Sequence, residues 1–279
     1  MNQERANIDG TGVTIGFFDS GVGGLAYVPA IRTLLPRARL RYLADNECFP
    51  YGTRSDESVS QIVLERVARL IAACAPDIVV VACNTASVVA LEALRLTFPA
   101  VVFVGVVPAV KPAAAASRTG RIGVLATNRT VSAAYLDSLV AEFAQGLVVE
   151  RIAGGEIVQF VETGLPHADV WARQEVVRET AGRFTHAAVD TVVLGCTHFL
   201  HLEEEFARAL GPEVTVIDSR QGVARRVRAL VEEGDHIGRG SEAGRDLFFT
   251  TEPAERYSWF AGRFGFEYAG VIANVRAGR

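Results

Sequence analysis

At 279 residues the chain is about twice the size of a common single domain, which predicts two domains. Hydrophobic residues make up 49% of the sequence and charged residues 22%, a balance that excludes a disordered, collagen-like or disulfide-stapled small protein. The 28 basic and 32 acidic residues give a net charge of −4, which does not favour nucleic acid or an anionic membrane as a partner. We therefore expect a globular protein that binds a small molecule.

The N-terminal residues and the lengths of the apolar runs predict a cytoplasmic protein. The sequence MNQERANIDGTG lacks the cationic and apolar regions of a signal peptide, and the longest apolar runs are shorter than the roughly 20 residues of a membrane span. Among Cys48, Cys74, Cys83 and Cys196 there is no CxxC pair, so no metal site is predicted, and a reducing compartment predicts no disulfide.

Short runs of valine, isoleucine and leucine that end at Gly, Asp or Asn predict buried parallel strands. Amphipathic helical patterns lie between them, the clearest of which begins after a Ser55 cap and places Val59, Val63 and Val67 on one face. Alternating strands and helices predict α/β architecture. The predicted strands lie near residues 13–18, 40–44, 78–82, 101–106, 121–125, 147–152, 191–195 and 214–217.

The sequence also contains an internal repeat. Residues 75–85 align without gaps with residues 188–198 and agree at an alanine, an aspartate, two valines and a cysteine. Upstream of these segments, Ile15-Gly16 and Ile122-Gly123 each begin a predicted strand. We infer two similar doubly wound α/β domains, each with a central parallel sheet, related by pseudo-symmetry.

The repeat places Cys83 and Cys196 at equivalent positions, where a strand ends and a helix begins. Because open α/β sheets bind ligands at the carboxyl ends of their strands, the active site is predicted in the cleft between the domains. A helix pattern after Ser219 returns the chain to the first domain. The first domain is thus predicted to comprise residues 1–107 with 217–279, and the second residues 108–216.

The loop after the first strand, residues 19–26, contains GxGxxA, and Asp45 follows Gly24 by 21 residues. This spacing is close to a dinucleotide-binding fingerprint. Asp19 argues against a dinucleotide, because a carboxylate at the strand tip would repel a pyrophosphate at the helix N-terminus. Asp19 and Ser20 are better suited to the ammonium of an amino acid, and the helix N-terminus to its carboxylate.

Two other kinds of catalysis have little support. The only lysine, Lys111, lies between apolar residues and Pro112, which does not indicate a pocket for a pyridoxal phosphate Schiff base. No GxSxG motif of a serine hydrolase occurs. We therefore expect no cofactor.

Cys83 and Cys196 are the candidate reactive groups. A helix N-terminus lowers the pKa of a thiol from its ordinary value of about 8.5, so the sequence predicts that either cysteine can ionise near neutral pH. Asn84-Thr85 and Thr197-His198 follow them directly and place polar groups and backbone N–H donors in the first helical turn. These donors can hold a carboxylate.

Four motifs follow one another along the chain: IGFFDSGVGGL at residues 15–25, FPYG at 49–52, ACNT at 82–85 and LGCTH at 194–198. In this order and at this spacing they resemble the glutamate racemases of the aspartate/glutamate racemase superfamily. The resemblance extends over about residues 13–230. It implies two α/β domains around a central cleft and a cofactor-independent racemase that supplies D-glutamate for peptidoglycan.

The resemblance also assigns roles to individual residues. Cys83 would act on D-glutamate and Cys196 on L-glutamate, as two bases on opposite faces of Cα. The residues expected to assist proton transfer are Asp19, Asp45, Glu162 and His198. The residues expected to contact the substrate are Asp19, Ser20, Tyr51, Gly52, Asn84, Thr85, Thr197 and His198.

Three alternatives remain at this point: a racemase of aspartate or another small amino acid, a dinucleotide-dependent oxidoreductase, and a non-catalytic amino-acid-binding protein. A monomer and a homodimer are both compatible with the sequence.

Overall fold

The computed structural model describes residues 9–234 and 244–273. All eight predicted strands are present, and their ends differ from the predicted ends by no more than about one residue. Two further strands, β9 and β10, follow in the C-terminal part of the chain. In order, the strands are β1 Thr14–Asp19, β2 Arg39–Ala44, β3 Ile78–Val81, β4 Val102–Gly105, β5 Arg121–Ala126, β6 Val148–Ala153, β7 Thr191–Leu194, β8 Thr215–Ile217, β9 Leu247–Thr250 and β10 Glu267–Val271.

Helices separate the strands, and the predicted Ser55 cap is confirmed, because the Ser58 N–H donates to Ser55 Oγ at 3.3 Å. The helices are α1 Val28–Leu34, α2 Asp56–Cys74, α3 Asn84–Thr97, α4 Val110–Ala116, α5 Asn128–Val131, α6 Ala134–Phe143, α7 Gly155–Gln159, α8 Val170–His186, α9 Glu203–Leu210, α10 Arg220–Glu233 and α11 Arg256–Arg263. Short 3₁₀-helices occupy Gly23–Tyr27, Tyr51–Thr53, Leu165–His167 and Thr197–Leu202, and Phe160–Gly164 forms one turn of π-helix.

The strands form two parallel sheets, as the sequence predicts. The larger sheet has the order β10-β9-β2-β1-β3-β4, and the smaller has the order β6-β5-β7-β8. Every residue of β1, β3 and β7 is buried, which is the reason these strands read as continuous apolar runs. The largest buried apolar cluster includes Phe17 of β1 and Leu125 of β5, so the two halves share a core.

The internal repeat is visible in the backbone. The order β2-β1-β3-β4 in the larger sheet corresponds to β6-β5-β7-β8 in the smaller one. The aligned residues Ala75 and Ala188 both have positive φ, at 41° and 53°. The aligned carboxylates of Asp77 and Asp190 both accept backbone N–H groups, from Thr14 and Thr119, beside the first strand of each half.

Helix α10 packs against α1, and Tyr27 Oη lies 2.7 Å from Ser219 Oγ. After residue 217 the chain thus contacts the first part of the sequence again, as expected if it returns to the first domain there. The domain boundaries themselves stay a prediction, and the predicted first-domain segments 1–8, 235–243 and 274–279 lie outside the described residues.

Strands β9 and β10 extend the larger sheet beside β2. The sequence analysis did not predict them. They have four and five residues, and exposed and less exposed residues alternate along β10 at the sheet edge, so neither forms a long apolar run. Within residues 9–234 and 244–273, no helix combines the length and apolar character needed to cross a membrane.

Replacing Asp190 with asparagine should lower the free energy of unfolding by about 2 kcal/mol at pH 7, because its carboxylate accepts hydrogen bonds from Ser117, Arg118 and Thr119. Although desolvation opposes it, these hydrogen bonds lower the pKa of Asp190. The carboxylate therefore stabilises the fold above its unfolded pKa of about 3.9, and the contribution is lost as the pH falls. Urea unfolding curves of the wild type and Asp190→Asn should converge toward acid pH.

The matched control is Asp137→Asn, which removes an exposed carboxylate paired with Arg151 and should change stability by less than about 1 kcal/mol. A loss in Asp190→Asn that is the same at pH 7 and at pH 3 would contradict the account of Asp190.

Candidate active site

Both candidate thiols face one cavity between the two sheets. Cys83 follows β3 and occupies the N-cap position of α3, and Cys196 follows β7 and occupies the same position before the 3₁₀-helix at Thr197–Leu202. Both cysteines are buried, with 7% of each residue exposed. The cavity is lined by Ser20, Phe49, Pro50, Tyr51, Gly52, Cys83, Asn84, Thr85, Thr127, Val158, Cys196, Thr197 and His198.

Cys196 belongs to a chain of polar contacts that ends at a carboxylate. Its Sγ lies 3.8 Å from His198 Nδ1, and His198 Nε2 lies 2.7 Å from Glu162 Oε1. Burial opposes a charge on His198, but the hydrogen bonds to Cys196 and Glu162 raise its pKa well above the usual value. Nε2–H donates to the carboxylate, which leaves Nδ1 directed at the thiol. This is the base-and-orienter arrangement of nucleophilic triads.

Glu162 is fully buried, yet it is the carboxylate that stays ionised. Besides the His198 contact, its Oε1 accepts the Val22 N–H at 2.7 Å and its Oε2 accepts the Tyr257 hydroxyl at 2.8 Å. Burial alone would raise its pKa, but His198 and these donors lower it below the usual value.

Cys83 has a different environment. Its Sγ lies 3.9 Å from Ser20 Oγ, which lies 3.4 Å from Asp19 Oδ1. Burial raises the pKa of Cys83, and the nearby charge of Asp19 raises it further. The prediction that the helix N-terminus would lower the pKa of this thiol was therefore wrong, because desolvation outweighs the N–H of Ala86.

Asp19 is itself perturbed. Burial raises its pKa to about 6, against the lowering effects of His198 and of the Gly24 N–H, which donates to Oδ2 at 2.5 Å. Thr197 Oγ1 lies 3.3 Å from the same oxygen and links the loop after β1 to the loop after β7. Asp19 can thus exchange a proton near neutral pH.

The glycines of the loop after β1 allow close approach between the two halves. A Cβ at Gly21 would overlap Glu162 Oε1, and a Cβ at Gly23 would lie 2.7 Å from His198 Nδ1. The N–H groups of Val22 and Gly24 donate to carboxylates of the chain itself. These two donors are therefore not free to bind a dinucleotide pyrophosphate.

Asp45 lies apart from the thiol contacts. Its carboxylate accepts the Tyr51 hydroxyl at 2.6 Å and the Thr251 hydroxyl at 2.8 Å, and it pairs with the buried Arg66. Asp45 does not line the cavity, whereas Tyr51 does. The expected assistance of Asp45 in proton transfer has no contact to support it, and the structure favours a role in positioning Tyr51.

Seven of the eight expected substrate contacts lie together, and the eighth, Asp19, does not line the cavity. Ser20, Tyr51, Gly52, Asn84, Thr85, Thr197 and His198 all line the cavity. In the described part of the chain, the buried Asn84 Oδ1 has no hydrogen-bond partner. This acceptor and the hydroxyls of Thr85 and Thr197 are suited to the polar groups of an amino acid. Lys111 does not line the cavity, and its Nζ lies 5.2 Å from the centre of the Phe143 ring.

Five residues of the site were not predicted as site residues. Phe49, Pro50, Thr127 and Val158 complete the cavity wall, and Tyr257 contacts Glu162 from the C-terminal part of the chain. Thr127 follows β5 in the same way that the Asp19 loop follows β1, and this equivalence within the repeat could have predicted that Thr127 belongs to the site. Among the described residues, no group of three or more His, Cys, Asp or Glu side chains is arranged to hold a metal ion.

Residues 23–227 match the protein family described as Asp/Glu/Hydantoin racemase. The chain belongs to this family. A glutamate racemase of Treponema pallidum (strain Nichols) is 39% identical over 264 residues, which cover 92% of this chain and 95% of the relative. One from Roseiflexus sp. (strain RS-1) is 41% identical over 220 residues, 78% of this chain and 79% of the relative. The racemase family predicted from the four motifs is confirmed.

Solved structures of family members have the same fold. Escherichia coli glutamate racemase, in complex with L-glutamate and the activator UDP-MurNAc-ala, superposes with a TM-score of 0.85 at 36% identity and covers 95% of this chain and 99% of its own. The isoform RacE1 of Bacillus anthracis superposes with a TM-score of 0.81 at 29% identity and covers 95% and 99%. The predicted fold class is confirmed, and the chain is a racemase.

A methyl group at Gly23 should abolish most of the racemase activity. Gly23→Ala would displace His198 and Thr197, and a shift of about 1 Å at reacting groups costs roughly 10²-fold in rate. Steady-state kinetics would measure the loss, with circular dichroism to verify folding. Gly182→Ala, on α8 with no atom within 4 Å of the new Cβ, is the control and should keep wild-type activity. Full activity in Gly23→Ala would show that the close approach is dispensable.

Tyr51→Phe and Asp45→Asn should each raise KM several-fold with a smaller effect on kcat, since Tyr51→Phe removes the hydrogen bond that fixes Tyr51 in the cavity wall and Asp45→Asn weakens it by replacing its ionised acceptor with a neutral amide. The double variant should be no worse than either single variant. If Asp45 instead assists proton transfer, kcat will fall strongly in Asp45→Asn and will not in Tyr51→Phe.

Proposed function

We propose that this racemase interconverts L-glutamate and D-glutamate without a cofactor, through proton transfer by two cysteines. The observation that carries the proposal is the placement of Cys83 and Cys196, from the two halves of the molecule, on one cavity. The relatives from T. pallidum and Roseiflexus are glutamate racemases, and the E. coli structure holds L-glutamate, which supports this substrate.

Two bases are needed because a single base tends to return the proton to the face from which it was taken. In the proposed reaction, one thiolate removes the Cα proton, and the opposite thiol delivers a proton to the other face. Cys196 acts on L-glutamate and Cys83 on D-glutamate. Acid–base assistance of this kind supplies roughly 10²- to 10⁴-fold. Donors that stabilise the enolate-like carboxylate supply a further part.

On the L-glutamate side, His198 takes the proton of Cys196. Its Nδ1 faces the thiol at 3.8 Å, and the raised pKa favours the imidazolium beside an ionised Glu162. The result is a Cys196 thiolate beside an imidazolium, ready to remove the Cα proton of the L enantiomer.

On the D-glutamate side, the resting group is the Cys83 thiol, because its pKa is raised by burial and by Asp19. This thiol is the acid that completes the conversion of L to D. For the reverse direction, the Cys83 proton passes by way of Ser20 to Asp19, the carboxylate that lies 3.4 Å from Ser20 Oγ. The resting enzyme is therefore poised to act on the L enantiomer.

The polar lining accounts for recognition of an amino acid. Asn84 Oδ1 accepts from the substrate ammonium, and the hydroxyls of Thr85 and Thr197 donate to carboxylates. Asp19 favours an ammonium nearby through its charge. Among the described residues, His198 is the one basic side chain that lines the cavity, so the side-chain carboxylate is bound by neutral donors such as the Tyr51-Gly52 segment.

The cavity must open before a substrate can enter. Its volume is about 30 Å³, which is enough for roughly two water molecules. A larger cleft of about 520 Å³ shares Gly52 and Thr85 with it and provides the route of entry. Closure over the substrate then excludes water from the reaction.

The product serves a biosynthetic role. D-glutamate is supplied to peptidoglycan synthesis, and the partners of the enzyme are small molecules rather than nucleic acid or membrane.

Cys83→Ser and Cys196→Ser should each lose nearly all inversion in both directions, because every turnover needs both thiols. In D₂O, Cys83→Ser should exchange deuterium only into L-glutamate and Cys196→Ser only into D-glutamate, since one base remains in each. Chiral chromatography and mass spectrometry of the recovered glutamate measure both quantities.

Cys48→Ser is the control, because Cys48 lies beside Arg66 and does not line the cavity. Wild-type inversion in either active-site variant would refute the two-base assignment, and exchange into the opposite enantiomers would reverse it. If the wild type inverts aspartate faster than glutamate, the substrate is aspartate rather than glutamate. An increase of Tm with NAD would favour the oxidoreductase alternative.

A further inference from the structure

The C-terminal part of the chain contributes a buried tyrosine to the active-site carboxylate. Tyr257 lies in α11, between strands β9 and β10, and is completely buried. Its hydroxyl donates to Glu162 Oε2 at 2.8 Å. The family match ends at residue 227, so Tyr257 lies outside the matched segment, whereas Glu162 lies inside it.

The two oxygens of Glu162 have different partners. Oε1 faces His198 and the Val22 N–H, whereas Oε2 has the Tyr257 hydroxyl as its one hydrogen-bond donor among residues 9–234 and 244–273. A buried carboxylate oxygen without a donor is strongly destabilised. Burial and the charge of Glu162 raise the pKa of Tyr257, so the hydroxyl stays protonated and remains a hydrogen-bond donor.

We propose that Tyr257 is a positioning residue for the racemase reaction: it holds the Glu162 carboxylate ionised and oriented, and thereby directs His198 Nδ1 at Cys196. The proposal rests on the function proposed above. It adds Tyr257 to the series of contacts from Cys196 through His198 to Glu162. The C-terminal part of the sequence is thereby joined to the L-glutamate face of the cavity.

The surrounding charges do not replace Tyr257. Asp19 is the other carboxylate that faces this cluster, and its charge opposes that of Glu162. His201 is neutral near pH 7, since burial and His198 lower its pKa to about 4. The Arg256 guanidinium lies 4.8 Å from the centre of the Tyr257 ring, and Tyr42 donates to the Gly21 carbonyl.

The ring of Tyr257 also has a packing role, which the test must separate from the hydroxyl. Its centre lies 6.0 Å from that of Phe248 and 6.4 Å from that of Phe260. Tyr257→Phe keeps these contacts and removes the donor. Tyr268→Phe is the matched control, because that hydroxyl lies in the same C-terminal part, 3.0 Å from Thr250 Oγ1, and does not contact Glu162.

In Tyr257→Phe, kcat/KM for glutamate should fall roughly tenfold, with KM within about twofold of the wild type. The fall must be equal for both enantiomers, because they have equal free energies. The pH range of activity should narrow from both sides. On the acid side it should lose about one pH unit, because Glu162 without its donor has a higher pKa and is protonated at a higher pH. On the alkaline side the limb should move to lower pH, because His198 beside a less fully ionised Glu162 has a lower pKa.

In a Glu162→Gln background, Tyr257→Phe should cause no further loss, since it acts through the carboxylate. Tyr268→Phe should leave the pH limits in place. If Tyr257→Phe does not fold, 3-fluorotyrosine at position 257 provides a more acidic donor and should move the acid limb to lower pH.

An unchanged pH profile in a folded Tyr257→Phe or in the fluorotyrosine protein would overturn the positioning role, as would an additive loss with Glu162→Gln. A wild-type enzyme that does not invert glutamate in the same assay would instead overturn the proposed function. The two failures are therefore distinguishable.

Discussion

The active site depends on two buried carboxylates that bind the backbone of one glycine-rich loop. Asp19, at the end of β1, accepts the Gly24 N–H, and Glu162, from the other half of the molecule, accepts the Val22 N–H. Hydrogen bonds to ionised acceptors are stronger than those between neutral groups, and here they also satisfy N–H groups that would otherwise lack partners. The loop is thereby held against both halves, and the two thiols are brought to a common cavity.

The two sides of the cavity share a backbone plan and differ in chemistry. Cys83 and Cys196 occupy equivalent positions after β3 and β7, and a carboxylate supports each thiol through one intermediate group. The intermediate is a serine hydroxyl on one side and an imidazole on the other. Because an imidazole can carry a charge and a hydroxyl cannot, equivalent positions produce a thiol with a raised pKa at Cys83 and a charged partner beside Cys196.

Much of the fold could be predicted because buried parallel strands are continuous apolar runs, and the repeat shows that two units follow one another. Strands β9 and β10 could not, because they have only four and five residues, and short strands are recognised by their neighbours in the sheet rather than by their own composition. Asp45 illustrates a similar limit at the site. Its position after β2 fits a functional carboxylate, and only the contacts with Tyr51, Arg66 and Thr251 show that it lies behind the cavity wall, where it holds Tyr51.

The sequence by itself determined the α/β class, the family, and the residue types that reach the strand ends, because these follow from local pattern and motif order. The tertiary structure decided what those residues do. Proton affinity depends on burial and on groups distant in the chain. The raised pKa of Cys83, the ionised Glu162 and the contribution of Tyr257 therefore arise only when segments as far as 140 residues apart, such as those of Val22 and Glu162, meet.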